Sequence, residues 1–357
     1  MIINYFFKKK FFFKKKIKNS KRTFNYNIIW YLIVRKDDKI GIGECNPLLD
    51  NNAFKNLNVY EKELLCLSEK INIIQKNESY YYHSYISYSS ILFGLEQAFL
   101  GLKNKYPILY DSKFTNGKLG ISINSLIWLF SLSNINIENE VKKIEKDINR
   151  GFSLIKMKIS PKLFPYQLLV LKKIKKKYPY IKIRIDANGS FKNSKEALYY
   201  INKLYEINIV YSVEQPIEIG NWKDLSNICK KSKLPIALDE ELIGINNLKF
   251  KKRLLDIISP KYIILKPSVC GGFFGSKEWI IEAYKRKIEW CISSSLESKI
   301  GINAIAQWTF KMEEKYNRGV HGLNIGYFHN DFYSPLHIKK GYIWYNPLKK
   351  WKFKNLF

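Results

Sequence analysis

Five short apolar runs in the middle of the chain each carry charge at or near the end. LIKMKI (154–159) holds Lys156 and Lys158, IKIRID (181–186) ends on Asp186, IVYSVE (209–214) on Glu214, PIALD (235–239) on Asp239 and YIILK (262–266) on Lys266. Three acids in succession repel one another if brought together, and a divalent cation resolves that repulsion. An all-oxygen donor set suits Mg2+, with Mn2+ as a substitute, more than zinc, which favours His and Cys. Lysines flank the acids. Lys156 and Lys158 are two residues apart, so on a strand they share one face. A lysine acts as a base only when neutral, and its ordinary pKa of about 10.4 must fall to roughly 7–8 for that work. A neighbouring ammonium and a cation both oppose protonation, and both favour an anionic intermediate. A plainer reading stands beside this one: with 61 Lys+Arg in 357 residues, Lys-x-Lys arises by chance, and single acids pair with surface lysines.

The spacing says which elements must position these groups. From Lys158 to Lys266 the charged residues recur about every 27 residues, the length of one strand-plus-helix unit. Between them lie helical patterns such as 194–206, with Ala197, Leu198, Ile201, Leu204 and Tyr205 on one face and Asn193 or Ser194 as a cap. Further apolar runs at 121–124, 288–294 and 322–326 make eight strands. Strand–helix alternation of this kind predicts an α/β protein with a TIM-type barrel, in which the C-terminal strand ends converge on one mouth. The seventh run leads into Ser293, Ser294 and Ser295. Ahead of the barrel, residues to about 45 read as strands with a turn at Asp37–Asp38, and 60–75 and 87–103 as amphipathic helices, an α+β module. The polar stretch from Asp111 to Gly120 marks the boundary, and the strand-like GYIWYNPLKKWKF (341–353) returns to the first module.

Composition excludes some classes. Hydrophobic content of 46% is that of a folded chain. A net charge of +30 raises polyanions as partners, but the lysines are scattered over nearly every segment, so no specific nucleic acid is expected. Five widely spaced cysteines without a C-x-x-C predict free thiols and a cytoplasmic location. His321 reads as a core or loop histidine. The N-terminal FFKKKFFFKKK has lysine triplets breaking every apolar run, which predicts a lysine-protected edge strand or hairpin; a weak membrane-surface contact is the alternative. No apolar run reaches the roughly 18 residues of a membrane span, so no membrane partner is expected.

KMK (156–158), DAN (186–188), VEQP (213–216), LDEE (238–241) and LKPSVCGG (265–272) resemble the muconate-lactonizing-type branch of the enolase superfamily. GIGECNPL (41–48), FGLEQAFLGL (93–102), CISSSLESKIGINAIAQW (291–308) and HGLNIGYF (321–328) narrow the likeness to its o-succinylbenzoate synthase family. The resemblance implies a (β/α)7β barrel over 116–325, an α+β capping domain over 1–115, and a C-terminal segment, 326–357, that completes the cap. It implies Mg2+ on Asp186, Glu214 and Asp239, Lys158 as base and then acid, and Lys156 and Lys266 stabilising an enediolate. Arg184 and Asn188 would support the metal shell or the substrate, Ser294 and Ser295 would hold a succinyl carboxylate, and the loop from Glu44 to Leu48 would close over the site. The substrate would be a small carboxylate, dehydrated on the way to menaquinone. Gln215 departs from the pattern, since many relatives carry a second acid there. Racemases and dipeptide epimerases of the same branch share the two-lysine, three-acid site and remain an alternative, and the pattern leaves oligomeric state open.

Overall fold

The structure is a computed structural model, and it describes residues 2–18, 23–48, 56–76, 86–128 and 136–353. The N-terminal run forms β1 (Ile3–Lys18), which pairs antiparallel with β2 (Thr23–Lys36), and β2 pairs with β3 (Lys39–Cys45). Alternation explains the Phe/Lys triplets: Phe11 and Phe13 point into the core while Phe12 between them is exposed. The lysines lie over rings, Lys9 above Phe332 at 4.2 Å and Lys10 above Tyr26 at 3.9 Å. The outer edge of β1 is covered in part by the chain at 327–330, through Lys14 N–H to Tyr327 O and the side chain of Asn330 on Phe12 and Lys10.

Two helices back this sheet, α1 (Leu57–Lys76) and α2 (Ser89–Asn104). The second lies directly on β3. A Cβ on Gly43 would stand 1.7 Å from the Gly94 carbonyl oxygen, so GIG on the strand and FG on the helix are there for backbone contact.

A seven-stranded parallel sheet follows: β5 (Ser125–Ile127), β6 (Leu154–Lys158), β7 (Lys182–Asp186), β8 (Val210–Glu214), β9 (Ile236–Leu238), β10 (Tyr262–Leu265) and β11 (Glu289–Ile292). Its helices are α3 (Ile137–Asn149), α4 (Phe164–Lys177), α5 (Ser194–Tyr205), α6 (Trp222–Lys231), α7 (Leu248–Ile258), α8 (Gly272–Lys285) and α9 (Lys299–Glu313). Asn136, Asn193, Asn221, Asn247 and Ser298 cap five of them by accepting from first-turn amides. The edges of the sheet meet through two residues. His321 bridges to Ile123 and Gly322 to Ser293, with Asn124 N–H donating to His321 O at 2.8 Å and Gly322 N–H to Ile292 O at 2.7 Å. This closes the ring as (β/α)7β.

Two runs behave differently from their reading as strands. In 121–124, β4 (Ile121–Ser122) turns away to pair with β13 (Tyr342–Tyr345), and the barrel strand begins at Ser125. In 322–326 the ladder is one bridging pair, because Leu323 is buried while the chain moves off towards β1. β12 (Leu336–Lys339) and β13 form a hairpin on β4. The contact with the N-terminal sheet comes from its flank, where Phe328 and Phe332 pack on Phe11, while Phe353 packs on Tyr106, just past α2.

Candidate active site

Each site residue follows from strand alternation. On β6, Ile155 and Met157 join the apolar layer between sheet and helices, which turns Lys156 and Lys158 into the barrel. Register aligns the neighbours: Lys158 with Asp186, Asp186 with Glu214, and Lys156 with Arg184. Lys156 Nζ lies 2.9 Å from Asp186 Oδ2 and 2.6 Å from Glu214 Oε1. Lys158 Nζ lies 3.0 Å from Asp186 Oδ2 and 2.5 Å from Asn188 Oδ1. On the far flank Lys266 Nζ lies 2.6 Å from Asp239 Oδ2. The three lysines and three acids are buried or nearly so, and Asn188 is half-buried.

The two lysines assigned an electrostatic role, Lys156 and Lys266, are held in the charged form. Burial opposes the Lys156 ammonium, but Asp186, Glu214 and Asp239 outweigh it and hold its pKa above the ordinary value. Burial likewise opposes Lys266, and Asp239 and Glu240 outweigh it. For Lys266 the neighbouring Lys156 ammonium is a smaller influence than Asp239 and Glu240. Burial raises Asp186, yet Lys156 and Lys158 bring it below the usual carboxylate range. Glu214 is pushed up, by burial first and then by Asp186.

The acids are spread around the Lys156 ammonium, and among the described residues no three His, Cys, Asp or Glu side chains close on one point as a metal cage. The donor set nonetheless fits a hard cation. Glu214 Oε2 and Asp239 Oδ1 are buried without a hydrogen-bond partner among the described residues, and every candidate donor is a carboxylate oxygen. Gln215 supports this set. Its Oε1 accepts from the amides of Asp239 and Glu241, both at 3.2 Å, so the amide in place of an acid helps anchor the start of the β9 loop.

The remaining expected residues fall into different places. Asn188 donates to Glu240 Oε1 at 2.9 Å and accepts from Lys158. Arg184 sits one layer below the acids, where its Nη1 meets Cys291 Sγ at 3.3 Å. Burial raises the Cys291 thiol, but Arg184 and then His321 outweigh it and bring it down to about 6. His321 is a satisfied core histidine: its Nδ1 accepts from Ile292 N–H at 2.9 Å and its Nε2 faces Glu313 Oε1 at 3.1 Å. Ser295 is buried with an Oγ that has no hydrogen-bond partner among the described residues, and Ser294 is half-buried beside it. No contact joins either serine to the acids or lysines among the described residues. In the Glu44–Leu48 loop, Asn46 reaches Ser295 O at 3.0 Å, while Glu44 turns away to the start of α9, accepting from the amides of Ser298 and Gly301.

Sequence reasoning missed Trp128, whose ring lies 5.4 Å from Lys158 Nζ, and Glu240, which holds Asn188. The rule that found the other strand ends would have found Trp128 had the first strand been read as starting at 125. The link between Arg184 and Cys291 leaves no local signal.

The family of enolase C-terminal domain-like proteins matches residues 139–347. An o-succinylbenzoate synthase of Desulfotalea psychrophila is 36% identical over 62% of this chain and 59% of its own length, so the match spans under two thirds of that relative. An L-amino acid-D/L-Glu epimerase of Francisella philomiragia is 27% identical over 53% of this chain and 52% of its own. Among solved structures, MenC of Desulfotalea psychrophila superposes with a TM-score of 0.83 at 28% identity, over 96% of this chain and 99% of that one. The family match covers more than half of the chain and falls on the barrel that carries the acids and lysines, and the chain belongs to the enolase superfamily.

Proposed function

We propose that the protein is an o-succinylbenzoate synthase of menaquinone biosynthesis, acting in the cytoplasm with Mg2+, or Mn2+ in its place. We also propose its division into a cap (1–115), a barrel (116–325) and a C-terminal segment (326–357) that completes the cap. The observation that carries the reading is the placing of lysines on both flanks of three buried carboxylates: Lys156 and Lys158 in contact with Asp186, and Lys266 with Asp239. The synthase relative supports the choice within the superfamily. Five free cysteines agree with a reducing compartment, and no helix among the described residues is long and apolar enough to cross a membrane.

Asp186, Glu214 and Asp239 would hold the cation, which supplies Lewis-acid charge for the substrate carboxylate. On 2-succinyl-6-hydroxy-2,4-cyclohexadiene-1-carboxylate, Lys158 removes the proton from the carbon bearing the carboxylate. The electron pair enters an enediolate beside the Lys156 and Lys266 ammonium groups. The ring C–O bond then breaks, Lys158 returns its proton to the departing hydroxide, and water leaves with an aromatic ring. Arg184 keeps positive charge beneath the acids, Asn188 orients Lys158, and the Ser295 Oγ with Ser294 receives the succinyl carboxylate.

An ultraviolet assay for o-succinylbenzoate with and without Mg2+ tests the proposal. Turnover should require the cation, and calorimetry should show Asp186→Asn binding Mg2+ at least about tenfold more weakly. Full turnover after exhaustive chelation would sink it. A racemase or epimerase is the second reading, favoured by Lys158 and Lys266 standing on opposite flanks and by the epimerase relative. Solvent-deuterium exchange into N-succinylamino acids without any o-succinylbenzoate formation would select it.

A further inference from the structure

Lys158, Asp186 and Glu214 put charge on three adjacent strands at the mouth of the barrel. The strand on the other side of β6 ends differently. β5 runs parallel to β6 with Ser125 opposite Ile155, Leu126 opposite Lys156 and Ile127 opposite Met157. The next pair in that register is Trp128 and Lys158. Alternation therefore points the indole inward, at the height of the candidate base. The geometry agrees, since Lys158 Nζ stands 5.4 Å from the ring centroid, within the range of a cation–π contact.

The indole also packs on side chains of the capping sheet. Trp128 is half-buried and packs against the apolar cluster built on Phe11, Phe13 and Phe328, as do Leu296 and Tyr327. Leu296 follows Ser295, whose hydroxyl has no partner among the described residues. A flat, rigid, apolar surface thus stands between the cap and the proton-transferring group. Neither acid–base chemistry nor cation binding needs such a surface, and an acyclic substrate gives it nothing flat to meet.

We propose that Trp128 is a specificity-determining residue: its indole is the wall against which a planar, unsaturated six-membered ring bearing a carboxylate lies while Lys158 works on that ring. This rests on the proposed ring dehydration. Offset stacking of two π systems strengthens as the diene becomes aromatic. The wall therefore favours cyclic dienyl and aryl carboxylates over acyclic N-acylamino acids, the substrates on which a two-lysine site would otherwise exchange protons.

The test compares wild type, Trp128→Phe and Trp128→Leu on two substrates, with circular dichroism to check folding. The readout is the ratio of kcat/KM for o-succinylbenzoate formation to that for solvent-deuterium exchange into N-succinyl-L-alanine. Trp128→Phe keeps an aromatic face and should hold the ratio within about threefold. Trp128→Leu should lower it about tenfold, chiefly through KM for the ring substrate. An equal loss on both substrates would make the indole a support for Lys158 alone and would overturn the proposal, as would no change in either. Wild type making no o-succinylbenzoate would defeat the proposed function and not this inference. In that case equilibrium binding decides. Tryptophan fluorescence should be quenched on titration with o-succinylbenzoate in wild type, with most of the quench gone in Trp128→Phe although binding persists. A quench unchanged in Trp128→Phe would overturn it. The fluorescence arm also stands if Trp128→Leu fails to fold.

Discussion

Lys158 and Lys266 are both lysines in contact with an acid, yet their neighbourhoods differ. Lys158 meets Asp186 and the Asn188 amide oxygen, and Asn188 is itself held by Glu240. Lys266 has Asp239 as its one ion-pair partner among the described residues. A group held by two oriented partners is suited to transfer a proton, and one held by a single acid to supply charge. Lys158→Ala should lower turnover about 10²–10⁴-fold and abolish exchange of the substrate α-proton with solvent, while Lys266→Ala keeps that exchange. Exchange that survives in Lys158→Ala and vanishes in Lys266→Ala would reverse the roles. A second residue-scale expectation concerns Cys291. Its thiol is brought down to about 6 in the fold, below the roughly 8.5 of a free cysteine. The stability it contributes is therefore present above the unfolded value and is lost as pH falls through about 6. Thiolate absorbance near 240 nm should show a step near pH 6 in the native protein, missing from Cys291→Ser. A wild-type profile without that step would show that Arg184 does not hold a thiolate.

At the scale of elements, the starts of α8 and α9 each receive a carboxylate from elsewhere in the chain. Neither α4 nor α8 has a side-chain cap from its own N-cap residue. For α8, Glu96 on α2 accepts from the amides of Phe273 and Phe274, at 2.5 and 3.0 Å. For α9, Glu44 on β3 accepts from Ser298 and Gly301. A carboxylate is favourable at either place because helix N-termini carry partial positive charge. Both acids are positioned by the close seating of α2 on β3. Gly43→Ala forces a Cβ onto a backbone carbonyl and should destabilise the fold by about 3 kcal/mol, the upper end for overpacking. The urea midpoint should fall accordingly, and an unchanged midpoint would mean that the two backbones are not in contact.

At the scale of the molecule, cap and barrel are joined over the strand ends that carry the site. Tyr31 on β2 donates to Ser298 Oγ at 2.8 Å, and Ser298 Oγ in turn donates to Glu44, so cap sheet and barrel helix share one buried polar cluster. The surface carries the net charge of +30 without concentrating it: Lys172, Lys173, Lys176 and Lys177 are exposed on α4, Lys230 and Lys231 on α6, and Lys8 and Lys10 on β1. Dispersed charge of this kind binds polyanions loosely. The protein should leave a heparin column well below about 1 M salt, where screening acts over about 3 Å, and saturating heparin should leave turnover unchanged. Retention at 1 M salt would instead indicate a built polyanion site.

The residues at the ends of β6 to β10 were legible in the sequence because two local rules suffice there. Alternation decides which side chains face inward, and the length of a strand-plus-helix unit decides which ones share a level. The cap of α5 was readable for the same reason, since Asn193 and the amide it receives lie within one turn. Gly43 and Gly94 could be quoted as parts of motifs, but not as a contact, because the two are 51 positions apart on separate elements. Trp128 was hidden by a start point: shifting the first strand from 121–124 to 125–127 changes its partner from β13 to β6 and brings a tryptophan to the mouth. Ring closure by His321 and Gly322 is a single bridging pair on each side, too short to have any period. The pairing of Arg184 with Cys291 and the reach of Glu44 to α9 span more than a hundred residues. Local pattern determined which residues face the barrel interior and in what order. Only the closed ring and the seated cap decided which of them meet, because those distances are set by packing across the whole chain.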